Sequence, residues 1–164
     1  MEPVNLAYTA PMKWDQLRAE NCPVARALSV VGDRWTMLVV RDCFLGFRRF
    51  DEIQARLGVT RHVLADRLRK LEAAGVLRRQ QYQDRPPRFE YHLTDAGEAL
   101  FPTLVSLITW AEEHAPPDEM SEITLTSRAT GQAVDPLLTD ARDGEVITNR
   151  TVTVRRNRPS ALPD

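Results

Sequence analysis

Residues 49–75, "RFDEIQARLGVTRHVLADRLRKLEAAG", hold two helical patterns that are separated by a short turn. In the first pattern, Phe50, Ile53 and Leu57 recur at intervals of three and four residues, which predicts a short helix with one buried side. Gly58 is expected to end this helix, because glycine readily adopts the left-handed conformation that often follows a helix.

The second pattern predicts a longer, basic helix that is capped by Thr60 and ends before Gly75. Leu64, Leu68 and Leu71 share one side of this helix and are expected in the core. A short helix, a tight turn and a longer basic helix are typical of a helix-turn-helix, although any helical hairpin can share this pattern.

The segment after the second helix predicts a β-hairpin. Apolar and polar residues alternate in "VLRRQQYQ" (76–83) and "RFEYHLT" (88–94), and the stiff segment "DRPP" (84–87) separates them. A hairpin in this position is a wing, and Arg85 and Arg88 flank the two prolines at its tip. The expected fold class is therefore mainly α with a β-hairpin wing (winged helix-turn-helix), with a small C-terminal β extension.

Upstream of the motif, "CPVARALSVVGDRW" (22–35) predicts the end of one helix and the start of another. A helical pattern that begins at Trp14 is interrupted or restarted at Pro23, because proline suits the first turn of a helix. We expect Asp33 to cap the next helix, which stops near Gly46. The apolar residues expected to pack the first helix are Val24, Leu28 and Val31.

Downstream of the wing, Thr94 is expected to cap a last helix that runs to residue 114, with Pro102 in its first turn or bending it. A helix this apolar at the end of a small domain usually packs against another protein surface, and a second copy of the chain is the simplest partner. The residues expected at this dimer interface are Leu100, Leu104, Leu107 and Trp110.

The composition changes after residue 115, where "APP" (115–117) indicates a linker. The stretches "EITLTS" (122–127) and "EVITNRTVTVRR" (145–156) predict strands of a small β appendage. The expected organisation is an N-terminal arm or helix (1–21), a winged helix-turn-helix domain for DNA binding and dimerisation (22–115), and a linker with the β appendage (116–164).

The composition favours a cytoplasmic protein with no membrane contact. The 164 residues carry a net charge of −1 and two cysteines, too few for a disulfide framework. No apolar run approaches the roughly 20 residues of a membrane-spanning helix, and the first residues lack the apolar segment of a secretory signal. The histidines are scattered and no phosphate-binding loop or metal cluster occurs, so we expect no catalytic residue, metal or cofactor.

Charge is unevenly placed along the chain. From Arg34 to Arg88 there are thirteen Lys and Arg but only six Asp and Glu, so this span carries +7 while the remainder carries −8. A basic centre between acidic ends is typical of a protein that binds nucleic acid, and an Arg-rich solvated surface is the alternative explanation.

Three segments together resemble the HxlR family of bacterial winged helix-turn-helix regulators, which are relatives of the MarR group. They are "CPVARALSVVGDRW", "VRDCFLGFRRFDEIQARLGVTRHVLADRLRKLEAAGVL" and "PPRFEYHLTDAGEAL". The resemblance implies a homodimer, built through its first and last helices, that binds operator DNA and regulates transcription, which we expect to be repression. By this resemblance, Cys22 and Pro23 correspond to a cysteine-proline start that is common in the family. In some members that cysteine senses oxidants or electrophiles.

The tail "TSRATGQAVDPLLTDARDGEVIT" (126–148) resembles a C-terminal ribbon found in some relatives, in which cysteines bind zinc. Thr130, Asp140 and Asp143 occupy the corresponding places here, and residues 116–164 contain no cysteine or histidine. Structural zinc needs about four such ligands. We therefore expect a degenerate ribbon that is free of metal.

The basic helix is expected to read double-stranded DNA with the side opposite its leucines and with its N-terminus. Arg61 and Arg69 are candidates for contacts to guanine. Asp66 departs from the amide more common in the family, and it either pairs with Arg69 or accepts from cytosine. The full set expected on the recognition helix is Thr60, Arg61, His62, Ala65 and Arg69; Arg48 and Arg49 are expected on phosphates, and Arg85 and Arg88 in a minor groove.

The signal that controls binding is open between two hypotheses. Cys22 is one candidate, as a sensor of oxidants or electrophiles, although a purely structural cysteine is the favoured explanation of it. Cys43 is expected to be a small buried residue. A small-molecule effector is the other, in a site lined by residues such as Trp14, Trp35 and Trp110, although plain core packing is the favoured explanation of each tryptophan. The alternative to a DNA-binding regulator is a winged helix that binds only other proteins.

Overall fold

The computed structural model describes residue 18, residues 21–115 and residues 123–154. Apart from Arg18 and residue 21, the expected N-terminal arm lies outside these ranges, as does the linker beyond Ala115. In the described part of the chain, helices and strands follow in the order α1 (Pro23–Val31), α2 (Thr36–Phe44), α3 (Phe50–Leu57), α4 (Arg61–Ala73), β1 (Leu77–Gln83), β2 (Arg88–Leu93), α5 (Asp95–Glu98) and α6 (Phe101–His114).

The helix-turn-helix forms as the sequence predicts. Gly58 ends α3 in the left-handed conformation with φ of 62°, and the Thr60 hydroxyl caps α4 by accepting the Val63 N–H at 3.4 Å. Asp33 caps α2 through the backbone N–H groups of Trp35, at 2.9 Å, and Thr36, at 3.2 Å. These caps satisfy donors that the first turn of a helix leaves without partners.

The core lies between α2, α3, α4 and the base of the wing. Leu64, Leu68 and Leu71 of α4 are buried in it, as expected, together with Ile53 of α3. Full burial of each such side chain contributes roughly 1.5–3 kcal/mol. Because the leucines fix one side of α4 inward, the opposite side of that helix must face outward.

The wing is an antiparallel hairpin in which Leu77 lies opposite Leu93. Its base is joined to the segment before α3, because the Tyr91 N–H donates to the Arg48 carbonyl at 2.8 Å. Arg49 and Glu90 add an antiparallel bridge. The wing is therefore hydrogen-bonded to the start of the helix-turn-helix as well as to itself.

The expected packing of α1 was wrong in part. Val24 is 65% exposed and Leu28 is 46% exposed, while the buried residue of α1 is Ala25. The pattern of apolar residues identified an apolar side correctly, but that side does not face the core of its own chain. It is left exposed on the surface of a single chain.

The expected last helix is divided into α5 and α6, with Ala99 and Leu100 between them. Thr94 caps α5 as predicted, by accepting the Gly97 N–H at 3.2 Å. A Cβ atom at Gly97 would collide with the carbonyl oxygen of Val76, so this close approach requires glycine. Pro102 lies in the first turn of α6, one of the two placements that the sequence allows.

Contacts divide the chain into two compact units, Met1–Leu104 and Val105–Asp164. In the second unit, residues 123–154 form successive turns with two single-residue bridges, Thr126 with Ala133 and Thr139 with Val146. The strands expected at 122–127 and 145–156 do not form within these described residues. The β-prone residues there are held in tight turns, which leave no room for a longer ladder.

Candidate nucleic-acid interface

The outward side of α4 carries most of the residues expected to contact DNA. Thr60, Arg61, His62 and Arg69 are exposed, and Ala65 is half-buried. The buried leucines lie on the opposite side of the same helix. The helix thus presents three cationic side chains, those of Arg61, Arg69 and Lys70, and the imidazole of His62 to solvent from a rigid support.

Arg61 is held in place by residues of α3. Its Nη1 atom lies 3.0 Å from Asp51 Oδ1 and 3.4 Å from Gln54 Oε1. Its guanidinium also lies over the ring of Phe50, 4.7 Å from the centroid. The side chain is still 70% exposed, so it is oriented without being removed from the surface. This support does not follow from the sequence, since contacts across a turn follow no helical spacing.

Asp66 lies among three cations of α4. Its carboxylate is 3.3 Å from Arg69 Nη1, the pair expected from the sequence, and also 3.0 Å from Lys70 Nζ and 3.2 Å from Arg67 Nη1. The hydrogen bond from Lys70 is the main reason why the pKa of Asp66 is lowered. The carboxylate is therefore charged, and it offsets part of the positive charge on the outward side of α4.

Arg48 and Arg49 differ in their freedom to bind phosphate. Arg49 Nε lies 3.1 Å from Glu90 Oε1 of β2, and its guanidinium lies over Tyr82 of β1 at 4.7 Å. The hydrogen bond to Glu90 raises the pKa of Arg49 above its usual range. Arg49 thus links α3 to the wing, whereas Arg48 contributes its backbone carbonyl to the wing and has an exposed side chain.

Arg85 and Arg88 are both exposed at the tip of the wing. The turn between them is shaped by Gln83, whose Nε2 donates to the carbonyl oxygens of Arg85 and Pro86, both at 3.1 Å. On β1, the guanidinium of Arg79 lies 3.4 Å from the centroid of the Phe89 ring. The hairpin therefore extends a basic edge beyond the helix-turn-helix.

A buried carboxylate that the sequence analysis missed joins α2 to α3. Asp42 is fully buried, with Arg41 Nη2 at 2.7 Å from Oδ1 and Arg56 Nε at 3.4 Å from Oδ2. Arg56 also lies over the Phe47 ring at 4.0 Å. Two of the basic residues that raise the central charge to +7, Arg41 and Arg56, therefore pair with this buried carboxylate and support the fold.

Residues 30–119 match the family described as HxlR-like helix-turn-helix. The chain belongs to this family. The match spans α2 to α6, which includes the helix-turn-helix, the wing and the core that supports them. This confirms the resemblance drawn from the three sequence segments.

Relatives of this HxlR-like chain carry consistent names. A Mycobacterium tuberculosis (strain ATCC 25618 / H37Rv) protein named HTH-type transcriptional regulator Rv3095 is 43% identical over 136 residues, covering 83% of this chain and 86% of that protein. The crystal structure of the transcription factor PA1607 is 40% identical with a TM-score of 0.78, covering 87% of this chain and 99% of that one. The reduced form of the redox regulator HypR is 33% identical with a TM-score of 0.53, covering 56% of this chain and 92% of that one.

The HxlR-like family and these relatives are transcriptional regulators, so the expectation that the chain is not an enzyme is confirmed. None of the helices in the described ranges combines the length and apolar character that crossing a membrane requires.

The expected dimer interface needs one correction in this HxlR-like chain. Leu104 is only 8% exposed and belongs to the core of its own chain, and Leu100 packs against that core. Leu107 and Trp110, by contrast, are 50% and 59% exposed. Helical spacing placed all four on one apolar side, but this side is wide enough to be divided between the core and the surface.

The two cysteines of the HxlR-like chain have opposite environments. Cys22 is exposed at the start of α1, where its carbonyl accepts the Arg26 N–H at 3.1 Å. Cys43 is buried, as expected, and burial raises the pKa of its thiol to about 12. Only Cys22 is therefore accessible to an oxidant or electrophile in solution.

The tryptophans expected around an effector have different environments. Trp35 packs against the core, Trp110 is exposed with its ring against His114 at 5.6 Å, and Trp14 lies outside the described residues. A cavity of about 490 Å³ lies instead between α1 and α4, with walls that include Leu28, Ser29, Arg67 and Lys70.

Proposed function

We propose that the chain is a sequence-specific regulator that binds a pseudo-palindromic DNA operator as a homodimer and acts as a repressor. The observation that carries this proposal is the division of α4 into a buried leucine side and an exposed side with Arg61 and Arg69. Membership of a helix-turn-helix family supports it, because the second helix of that motif enters the major groove.

Arg61 and Arg69 are the proposed base-reading residues. An arginine that makes a bidentate contact to guanine contributes roughly 1–3 kcal/mol of discrimination. Arg61 is better prepared for this task, because Asp51 and Phe50 already restrict its side chain. Thr60, His62 and Ala65 complete the proposed reading surface.

Affinity would come mainly from cations that contact phosphates. Arg48 before α3 is exposed and suits this role. Arg85 and Arg88 on the wing are also exposed; we expect the wing to reach a minor groove, with one of the two arginines contacting only the backbone. Each phosphate that is neutralised releases counterions, so binding should weaken steeply as salt increases. Arg49 would act by holding the wing in position, since Glu90 and Tyr82 engage its side chain.

Homodimer formation is supported by apolar residues left exposed on a single chain. Val24 and Leu28 are exposed on α1, and Leu107 and Trp110 are exposed on α6. Exposed apolar side chains of this size on two helices mark interaction surfaces. A twofold dimer would place two recognition helices roughly 34–36 Å apart, one turn of the DNA helix.

The protein is proposed to act in the cytoplasm, and two signals are proposed for the control of its DNA binding. Cys22 is exposed and Cys43 is buried, so a redox response would involve a partner subunit, a small thiol or an adduct at Cys22. The similarity to HypR, which is named as a redox regulator, supports this option. The other option is a small effector, for which the cavity between α1 and α4 offers space beside the recognition helix.

The test begins with sequencing of the DNA fragments that the protein selects, followed by affinity measurements on the selected operator. We expect Arg61→Ala or Arg69→Ala to weaken operator binding by about 1–3 kcal/mol, roughly five- to 150-fold. Arg128→Ala is the matched control, because Arg128 is an exposed arginine of the appendage. Equal affinity of all variants would overturn the assignment, and absence of DNA binding by the wild type would favour the protein-interaction alternative.

Repeating the operator titration with diamide separates the two proposed signals. Loss of binding by the wild type but not by Cys22→Ser supports sensing through Cys22. Equal responses of the two proteins exclude it and favour a small-molecule effector.

A further inference from the structure

Residues 125–134, "LTSRATGQAV", and 138–147, "LTDARDGEVI", are two copies of one turn, separated by thirteen positions. In each copy a threonine forms a bridge with a residue seven positions later, Thr126 with Ala133 and Thr139 with Val146. Each copy also contains a glycine with positive φ, Gly131 at 68° and Gly144 at 78°. Few residues are identical between the two copies, but the backbone conformation is repeated throughout.

The backbone hydrogen bonds of the two turns match one for one. The glycine N–H donates to the carbonyl of the residue four positions earlier at 2.8 Å, from Gly131 to Ser127 and from Gly144 to Asp140. The Ser127 N–H donates to the Gln132 carbonyl, as the Asp140 N–H donates to the Glu145 carbonyl. The Val134 N–H donates to the Leu125 carbonyl, as the Ile147 N–H donates to the Leu138 carbonyl.

The side chain that opens each turn accepts a backbone N–H from within the turn. Ser127 Oγ accepts the Ala129 N–H at 3.3 Å, and Asp140 Oδ1 accepts the Arg142 N–H at 2.9 Å. The acceptor precedes its donor by two positions in both turns. This position is therefore a side-chain oxygen that organises the turn.

The side chain three positions later does the same. Thr130 Oγ1 accepts the Gln132 N–H at 3.3 Å, and Asp143 Oδ1 accepts the Glu145 N–H at 2.9 Å. Each turn thus has two oxygen acceptors with two residues between them, directly before the glycine. Structural zinc sites in ribbon folds place paired cysteines at this spacing, and neighbouring N–H groups stabilise ligand sulfurs.

The residues present do not fit zinc. The hydroxyls of Ser127 and Thr130 are not ligands of structural zinc sites, which are built from Cys and His. Asp140 is also engaged by Arg142, whose Nη2 lies 2.5 Å from Oδ2 and whose Nε lies 3.0 Å from Oδ1. Among the described residues, no group of three or more Cys, His, Asp or Glu side chains could hold a metal ion.

We propose that these turns are a duplicated metal-binding framework in which four oxygen acceptors have replaced four thiolates, so that the appendage folds without metal. The four positions are Ser127, Thr130, Asp140 and Asp143. The hydrogen bonds that would stabilise a thiolate now close each turn directly. The framework should therefore accept a metal again when thiolates are restored.

The experiment restores all four ligands in the full-length chain, as Ser127→Cys, Thr130→Cys, Asp140→Cys and Asp143→Cys together. Under reducing conditions we expect this variant to bind one Co²⁺ per chain, with the absorption of tetrahedral cobalt thiolate. Two controls restore one turn each, Ser127→Cys with Thr130→Cys and Asp140→Cys with Asp143→Cys. The wild type is titrated in parallel to account for Cys22 and Cys43.

Tight cobalt binding by the quadruple variant alone supports the proposal. Binding that is no tighter than in the two double variants shows that the turns do not supply one common site, and overturns it. A second measurement uses the wild type, in which amide exchange at residues 129, 132, 142 and 145 should be the same with and without EDTA. Loss of protection on adding EDTA would show that the natural appendage needs metal.

Discussion

Asp66 limits the positive charge on the outward side of α4, the proposed DNA-reading surface. Its carboxylate lies within 3.3 Å of cationic atoms of Arg67, Arg69 and Lys70. We expect Asp66→Asn to bind operator DNA roughly three- to tenfold more tightly at low salt, because the cations lose an internal partner. The slope of log affinity against log salt should become steeper by about one unit, as expected when one more phosphate is neutralised.

Fluorescence anisotropy over a range of salt concentrations measures both effects of Asp66→Asn. Asp135→Asn makes the same change of charge in the appendage and should alter neither. Weaker binding by Asp66→Asn at its own operator would instead indicate that Asp66 accepts a hydrogen bond from cytosine, the alternative that the sequence leaves open.

For single residues, the sequence predicted which side chains of α4 face outward but not which partners hold them in place. Leucine spacing alone determines the exposed side, so Arg61 and Arg69 could be placed correctly. Asp51 and Asp42 were missed, because their partners Arg61 and Arg56 lie on other turns of the chain or other helices. Such pairs depend on how helices cross, which no periodic pattern records.

The two turns of the appendage should respond differently to acid. A hydrogen bond from Arg142 lowers the pKa of Asp140 below its ordinary value of 3.8, so charged Asp140 stabilises the folded turn. That stabilisation is present above pH 3.8 and is lost as the pH falls through the lowered pKa. The first turn uses Ser127 and Thr130 in the equivalent places, and these hydroxyls do not titrate in this range.

An NMR titration of backbone amides from neutral pH to about pH 2.5 tests this difference. We expect the Arg142 amide, whose acceptor is Asp140, to shift and lose exchange protection, while Ala129 in the first turn keeps its protection. Simultaneous loss at both amides would contradict independent closure of the two turns.

Elements with strong periodicity were predicted well, and those that depend on turns were not. The spacing in α3 and α4 was sufficient because each helix has one buried side, whereas the hairpin was predicted from its alternating residues and the turn between them. The last helix was predicted as continuous because Thr94 and the apolar residues after it fit one pattern, yet it is interrupted at Ala99 and Leu100. In the appendage, Thr and Val indicated strands, but glycines at positive φ close the chain into turns instead.

Burial separates two neighbouring leucines of α6 into different roles. Leu107 is half-exposed, so Leu107→Asp should leave the fold intact and convert the proposed dimer to a monomer. Leu104 is buried, so Leu104→Ala should lower the free energy of unfolding by about 2–5 kcal/mol. Sedimentation velocity measures the first effect and urea denaturation the second.

Leu137→Asp is the control for the first variant, since it introduces the same charge at an exposed leucine of the appendage. It should leave the oligomeric state unchanged. A dimer that persists in Leu107→Asp would show that α6 does not contribute to the interface.

The hydrogen bond between Tyr91 and Arg48, with the ion pair between Arg49 and Glu90, has a consequence for control of the whole molecule. These contacts join the wing to the residues directly before α3, so we expect the wing and the helix-turn-helix to move as one unit. A signal that deforms the wing relative to the helix-turn-helix of one chain would then have little effect. In the proposed homodimer, a signal would instead change the distance or tilt between the two helix-turn-helix units, so the state of the protein would be reported by the spacing it fits on DNA.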